Sequence, residues 1–378
     1  MPEVIRSIAV VSTNAGSLVN FRGPLLTEMA ARGFTVWALA PDYDDVLRER
    51  VRSFGAQPVD IGMERTGMRP LRDAADMLRL RATLSRLKPD ATLAYFIKPV
   101  IYGSLAAKAA GVRRRYALMA GLGYVFTPPP GGESMKRRAL RLMVSRLYMA
   151  GFSACRRVFF HNGDDLDYLS QAGLIDRSKA VLIGGTGVDL SRFRNTPPST
   201  DPPRFLLIAR LLAEKGVREY VEAAKDIRRN RPEVEFHLAG DLDTNPGALS
   251  RNEVEAWVSA GDIIWHGHLV DVREIIAAAS VYVLPSYREG KPRSTQEAMA
   301  MGRPVITTDA PGCRDTVDEG VNGFKVPVGD AEALATAMRR FIDDPTLIGK
   351  MGRESRRLAE ERFDVDKINN LILNVILA

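Results

Sequence analysis

Short, almost wholly apolar runs alternate with longer amphipathic stretches along this 378-residue chain, and the alternation runs through twice. A run without a polar face must be buried on both sides, which places such strands in parallel sheets covered by helices. In the first series, strands are expected at Ile8–Val11, Phe34–Leu39, Ala91–Phe96, Tyr116–Met119, Val158–Phe160 and Ala180–Ile183. Helices are expected from Pro24 to just before Gly33, with proline in the first turn and glycine past the end, and over Asp44–Phe54, Leu71–Leu87 and Val100–Ala110. The series then breaks at Asn195–Arg204, NTPPSTDPPR, where four prolines in ten residues specify an extended linker. It restarts with strands at Phe205–Ala209, Glu235–Ala239, Ile263–His266, Val281–Leu284 and Val305–Thr307. Helices over Val217–Arg229, Val272–Ala279 and Ser294–Met301 lie between them, and helical sequence continues from Ala331. The chain is long enough for two domains, divided here as 1–196 and 197–363. Two doubly wound α/β domains joined in this way are expected to face one another across a cleft, with ligand at the strands' C-terminal edges.

Composition narrows the partners. Hydrophobic residues at 46% and charged residues at 26% fit a soluble protein with proper cores. Cys155 and Cys313 lie far apart in no CxxC pair, which fits a reduced cytoplasmic setting. The opening MPEVIRSIAVVSTNAGS has too short an apolar run for a signal-peptide core, and no stretch approaches the ~18 apolar residues of a spanning helix. The net charge of +7 is unevenly spread: residues 1–196 hold 29 Lys/Arg against 17 Asp/Glu, and residues 197–378 hold 24 against 29. A basic first half suits an anionic partner, whether nucleic acid, a phosphorylated substrate or an acidic membrane, although scattered solvated arginines explain it equally well. Aromatic residues make up only 7% and do not interleave with the basic runs, which argues against nucleic acid. Ser134–Arg157 carries seven Lys/Arg and no acid, with Leu140, Met143, Val144, Leu147 and Tyr148 on one helical face and Arg138 and Arg146 elsewhere. Such a helix can lie on an anionic bilayer or simply cover a sheet. TPPPGG (Thr127–Gly132), just before it, reads as a flexible loop.

The most informative stretch is Pro285–Pro304, PSYREGKPRSTQEAMAMGRP. It leaves a buried strand, passes Glu289 and Gly290 in a loop, and enters a helix near Ser294 that carries Glu297 in its first turn. A helix N-terminus offers free N–H groups and the positive end of a dipole, suited to phosphate or sugar oxygens. A carboxylate beside it can accept from two hydroxyls of a ribose. Ser294-x-x-Glu297 is also a capping box, which would account for Glu297 without any ligand.

These residues do not stand alone. Ile208-Ala209-Arg210 through Lys215-Gly216, His237-Leu238-Ala239-Gly240, His266-Gly267-His268-Leu269 and the Glu289-x7-Glu297 pair follow one another in order, preceded by IGGTGVD at Ile183–Asp189. From about Phe205 to Phe341 the set resembles glycosyltransferase family four. Phe96-Ile97-Lys98-Pro99, Tyr102-Gly103 and Ala120-Gly121-Leu122-Gly123-Tyr124 resemble a bacterial subgroup that extends undecaprenyl-diphosphate-linked sugars, often with an N-acetylhexosamine. The resemblance implies the GT-B fold, two Rossmann-like domains facing across a cleft, with residues 364–378 returning to the first. It implies a retaining hexosyltransferase that takes a UDP-sugar, with the second domain binding the donor and the first the lipid-diphosphate-linked sugar acceptor.

Carried over residue by residue, Arg210 and Lys215 would neutralise the donor diphosphate as the glycosidic bond breaks. Glu289 and the main chain of Gly290, Lys291, Pro292, Arg293 and Ser294 would bind the transferred sugar, and Glu297 the ribose. Gly16, Gly240 and Leu269 would let the backbone approach the donor, while Lys98, Tyr102 and Arg22 would meet the acceptor. Lys291 departs from the apolar residue usual at its position. Glycine stands at 121, near which many members carry an active-site histidine, so no catalytic histidine is assigned. The first loop, NAGSLVNFR, lacks G-x-G-x-x-G, against a dinucleotide dehydrogenase. Asp241-Leu242-Asp243 has the form of a metal-binding DxD but reads as a polar loop, His266 and His268 lack a third ligand, and His161 reads as a strand-end residue. No metal and no cofactor are therefore expected, and the expected location is the cytoplasmic face of the cell membrane. A GT-B-shaped sugar-nucleotide epimerase and a basic nucleic-acid-binding protein are the alternatives. The first needs acid/base carboxylates in the cleft that the sequence does not reveal.

Overall fold

The computed structural model describes residues 5–64, 69–126, 134–243, 245 and 247–378. Thr127–Gly132 lie outside the described residues. The chain divides into two compact units: unit 1 runs to Thr186 and is completed by Val365–Ala378, and unit 2 is Gly187–Asp364.

Unit 1 is built from β1 (Ser7–Val11), α1 (Ala15–Ala31), β2 (Thr35–Ala40), α2 (Asp45–Ser53), β3 (Ala56–Asp60), α3 (Pro70–Leu87), β4 (Ala91–Tyr95), α4 (Ser104–Ala109), β5 (Arg114–Met119), α5 (Met135–Ala154), β6 (Arg157–Phe160), α6 (Gly163–Gln171) and β7 (Ala180–Leu182). Unit 2 holds β8 (Arg204–Ile208), α7 (Val217–Arg228), β9 (Glu235–Ala239), α8 (Arg251–Ser259), β10 (Ile264–Trp265), α9 (Arg273–Ala278), β11 (Val281–Leu284), α10 (Arg293–Ala300), β12 (Val305–Thr308), β13 (Gly323–Val326), α11 (Ala331–Asp343) and α12 (Thr346–Arg362). The last helix, α13 (Val365–Leu377), returns to unit 1, where Ile368, Ile372, Leu373 and Ile376 join the core beside β1 and β5.

Both sheets are parallel throughout. Their orders are β3-β2-β1-β4-β5-β6-β7 and β10-β9-β8-β11-β12-β13. Each is a doubly wound Rossmann-like sheet, and together they are the two domains of a GT-B fold. The strand order reverses between β1 and β4 in unit 1 and between β8 and β11 in unit 2, so the loops at those C-terminal edges are where each sheet can take a ligand.

Several expectations need correction. The first helix begins at Ala15, not Pro24: Asn14 caps it by accepting from the Ser17 N–H at 2.8 Å, and Pro24 sits in its interior. Pro99–Gly103 forms a π-helical turn ahead of α4. Strands β3 and β13, both at sheet edges, and helix α8 were not anticipated. The division between units falls at Thr186 rather than at 196, because the segment after it is tied into unit 2. The Gly187 N–H donates to Gln296 Oε1 at 3.1 Å, and the fully buried Arg303 donates to the Thr196 carbonyl at 2.6 Å. The proline-rich stretch is thus part of unit 2 rather than a hinge between units. Cys155 and Cys313 are both free and buried. No helix among the described residues is long and apolar enough to cross a membrane.

Candidate functional site

At the reversal point of unit 2, three main-chain crossings bring the charged residues together. The turn at 213–216 lies on the loop after β11: the Tyr287 N–H donates to the Glu214 carbonyl at 2.9 Å, and a Cβ at Gly216 (φ +71°) would sit 2.1 Å from the Pro285 carbonyl. Only glycine fits there, and the fit brings the Lys215 ammonium within 2.5 Å of Glu289 Oε1. At the end of β9, Gly240 (φ +145°) packs its main chain onto Ala209, where a Cβ would meet the Ala209 carbonyl at 1.8 Å. This packing sets Arg210 beside the following loop, and its guanidinium donates to Asp243 Oδ2 at 2.8 Å. The Gly240 N–H in turn donates to the Gly267 carbonyl at 2.8 Å, which joins the 266–269 turn and the half-buried Leu269 to the same edge.

Helix α10 opens at this edge with Pro292 as its N-cap and no side-chain cap. The capping-box reading of Ser294 and Glu297 is therefore wrong. Ser294 lies inside the helix, where its hydroxyl accepts from Tyr282 at 2.6 Å and donates to the Ile208 carbonyl at 3.2 Å, fixing the first turn of α10 against the end of β8. Glu297 accepts from Arg293 at 2.8 Å instead. Burial pushes the Glu297 carboxyl above the ordinary glutamate range, a shift that Arg293 opposes without cancelling. With the helix beginning at Arg293, Glu297 lies beyond the first turn in which it was expected, and its sheltered carboxylate is an acceptor suited to hydroxyl donors. The Lys291 ammonium is buried and donates to Asp315 at 2.7 Å, so a role for it rests on its main chain beside Gly290.

Unit 1 treats its predicted residues differently. Lys98 is buried and its ammonium donates to Asp73 Oδ1 at 2.7 Å, so it is not an open cation. Arg22 is buried inside α1 with its guanidinium over the Tyr95 ring, 5.1 Å from the centroid. To meet an acceptor diphosphate as expected, Lys98 would have to give up Asp73 and Arg22 its place over Tyr95. Tyr102 is half-buried in the π-helical turn, its phenol pushed up by burial and then by Asp73. Gly16 lies in the first turn of α1, beside an end closed by Asn14 and by Asp42, whose carboxylate accepts from the Ala15 N–H and from Asn14, each at 2.9 Å. Asp42 (φ +61°) and Phe96 (φ +72°) hold left-handed backbone at the C-terminal edges of β2 and β4, the kind of strain that collects at ligand sites. Sequence reasoning passed over Asp42 and Asp73, because their partners lie 27 and 25 residues away.

Both aspartates and His266 of the metal-like motifs have protein partners. Asp243 holds Arg210, while Asp241 accepts from the Leu242 N–H at 2.8 Å. His266 meets His237 ring to ring with a 2.9 Å nitrogen–nitrogen hydrogen bond, and His237 reaches Glu235 at 3.1 Å. No group of three or more His, Cys, Asp or Glu among the described residues could hold a metal ion.

Comparison with known proteins places this edge in context. Residues 202–344 match the family described as Glycosyl transferases group 1. The N,N'-diacetylbacillosaminyl-diphospho-undecaprenol alpha-1,3-N-acetylgalactosaminyltransferase of Campylobacter jejuni is 25% identical over 353 residues, 90% of each chain. The UDP-Gal:alpha-D-GlcNAc-diphosphoundecaprenol alpha-1,3-galactosyltransferase of Escherichia coli is 25% identical over 324 residues, 81% of each. Among solved structures, sucrose-phosphate synthase from Thermosynechococcus elongatus superposes with a TM-score of 0.81 at 20% identity, covering 98% of both chains. An Anabaena protein solved with UDP and glucose gives 0.77 at 19% identity, covering 98% of this chain and 99% of that one.

Proposed function

With a group 1 glycosyltransferase domain at residues 202–344 as the premise, we propose that the protein moves a hexosyl group, an N-acetylhexosamine by preference, from a UDP-sugar to a sugar carried on a lipid diphosphate. The observation that carries this reading is the gathering of Arg210, Lys215, Glu289 and the uncapped start of α10 at one sheet edge of unit 2. Two cations beside an uncapped helix end suit a diphosphate, and the two carboxylates Glu289 and Glu297 suit the sugar and ribose hydroxyls. The names of the Campylobacter and Escherichia relatives support a polyprenyl-diphosphate-linked acceptor.

In this reading the acceptor hydroxyl attacks the sugar's anomeric carbon as the bond to the donor phosphate breaks. Arg210 and Lys215 stabilise the charge that develops on the departing diphosphate, the kind of preorganised electrostatics that contributes most in such sites. The departing phosphate oxygen takes the hydroxyl proton on the same face, so configuration is retained and no protein nucleophile is needed. Neither step calls for a metal.

We place the acceptor's lipid at a membrane surface reached through α5. The apolar side chains Val144 and Tyr148 pack into the core of unit 1, but Met135, Leu142 and Met149 are exposed at seven-residue spacing, with Arg138 and Arg146 exposed among them. Large apolar groups flanked by arginine suit an anionic bilayer, where each basic residue contributes about 1 kcal/mol. Changing Arg138, Leu142 and Arg146 together to Ser should abolish sedimentation with anionic liposomes and slow transfer to a long-chain lipid acceptor, with UDP binding intact. Normal sedimentation would leave α5 as a sheet-covering helix.

The decisive experiment is mass spectrometry of products from a panel of UDP- and GDP-sugars with a lipid-diphosphate-linked sugar, alongside calorimetric titration with UDP, GDP and single-stranded DNA. The reading requires one added hexosyl residue on the lipid-linked sugar and binding of a nucleoside diphosphate but not of DNA. An altered free nucleotide sugar with no product on the acceptor would point to the epimerase instead.

A further inference from the structure

Both cations assigned to the donor diphosphate are held by carboxylates, and the two pairs are built differently. Lys215 and Glu289 are similarly sheltered, at 15% and 16% side-chain exposure. Arg210 is half-exposed at 50%, whereas its partner Asp243 is sheltered at 14%. The second oxygen of Asp243 is also engaged: Oδ1 accepts from the Asn245 N–H at 3.0 Å and from its side-chain amide at 2.5 Å. The main chain keeps the partners adjacent, because Leu211 bridges Leu242 and the Leu211 N–H donates to the Asp241 carbonyl at 3.0 Å. Asp243 is thus anchored to its own loop, and Arg210, on a long flexible stem, is the partner able to leave.

A carboxylate and a phosphate compete for the same face of a guanidinium, since both offer paired oxygens to its planar fork. A diphosphate carries more charge than one carboxylate and can take Arg210 from Asp243. When the diphosphate departs, Asp243 is in place to reclaim the arginine. Building on the assignment of Arg210 to the donor diphosphate, we propose that Asp243 is a positioning residue: it parks Arg210 between turnovers and, by competing for it, loosens the nucleoside diphosphate product so that it is released. This role accounts for an acidic residue kept at the edge of an anion site, where it would otherwise only repel the ligand. Glu289 cannot be read in the same way, because its own assignment is to the transferred sugar.

The test is a double-mutant cycle. UDP is titrated into the wild-type protein, D243N, R210A and the R210A/D243N double variant at low salt, with thermal stability followed in parallel. We expect D243N to bind UDP about two- to fivefold more tightly, the competition a partly exposed ion pair can exert. The gain should disappear on the R210A background, and D243S should move affinity in the same direction as D243N. In steady-state assays with D243N, kcat should fall together with KM, the signature of slower product release, which a merely structural role would not produce. Unchanged or weaker UDP binding by D243N overturns the proposal. So does tightening that persists without Arg210, which would mean that Asp243 repels the ligand directly. A wild-type level of UDP binding by R210A is a separate result: it would remove Arg210 from the diphosphate site and the premise with it.

Discussion

The two sheets reverse their strand order in the same way, yet the two reversal points handle charge in opposite fashions. In unit 1 the helix after the first strand is closed by Asn14 and Asp42, and the lysine after β4 is buried against Asp73. In unit 2 the corresponding helix α7 has Gly216 as its N-cap, α10 has Pro292, and neither cap residue makes a side-chain cap hydrogen bond. Their nearby cations are paired as well, but Arg210 is half-exposed and the Lys215–Glu289 pair is only partly sheltered. On the proposed reading, the anion site thus falls within the acidic part of the chain. The +12 of residues 1–196 against −5 for 197–378 points the other way. Net charge describes the long-range field of a region, whereas a ligand responds to the few groups whose hydrogen-bonding capacity has been left open to it.

The strongest attempt to break this contrast is Lys98→Met. If Lys98 serves the fold, removing it strands Asp73 in the interior and should cost ~3–5 kcal/mol of stability in urea unfolding, largely recovered in a Lys98→Met/Asp73→Leu double variant. UDP affinity of the folded protein should not change. A stable single variant with impaired transfer to the acceptor would reopen unit 1 as a charged site.

Glu297→Gln probes the other side with a smaller effect. Gln keeps an acceptor for Arg293, so thermal stability should hold, while UDP affinity should fall by ~1.5–3 kcal/mol, the range for hydrogen bonds to a charged group. The pH dependence has a definite sign. Burial raises the Glu297 carboxyl above 4.5, and ribose binding uses the ionised form, so wild-type UDP affinity should decline on acidification before an ordinary glutamate would protonate. The folded protein correspondingly carries a burial penalty above the raised pKa, relieved as pH falls through it. Glu297→Gln should flatten the affinity profile, and an unaltered profile removes Glu297 from the ribose site. The smallest expected effect is none at all: with Arg210 and Lys215 supplying positive charge, excess EDTA should leave turnover unchanged. Loss of turnover restored by manganese would assign Asp241 and Asp243 to a metal after all.

Much of the fold could be read from the sequence because buried parallel strands announce themselves as unbroken apolar runs, as in Val281–Leu284. Edge strands do not: β3, AQPVD, is buried fully only at Ala56 and contains a proline, and it escaped notice. Pro24 misled for a related reason, since a proline normally marks a helix start and here lies inside one. At the site, ordered motifs located Arg210, Lys215, Glu289 and Glu297, all brought to one edge. Spacing alone could not tell that Ser294 would bond Ile208 and Tyr282 instead of capping, nor that Lys98 and Arg22 would be buried. Those outcomes depend on partners far away in the chain.

The return of α13 to unit 1 has a consequence for how the protein is made. Ile368, Ile372, Leu373 and Ile376 are fully or almost fully buried in the core of the unit synthesised first, and the Tyr116 hydroxyl donates to the Ile376 carbonyl at 2.9 Å. Unit 1 emerges early but lacks this part of its interior until Gly187–Asp364 has been translated, roughly 10–35 s later at ~5–20 residues per second. Throughout that interval an apolar groove beside β1 and β5 stays open to water and to other nascent chains. Unit 2, contiguous in sequence, has no such wait. A stop codon placed after Asp364 would therefore leave unit 2 whole and the first-made unit permanently unfinished, a chain expected to engage chaperones through its N-terminal half.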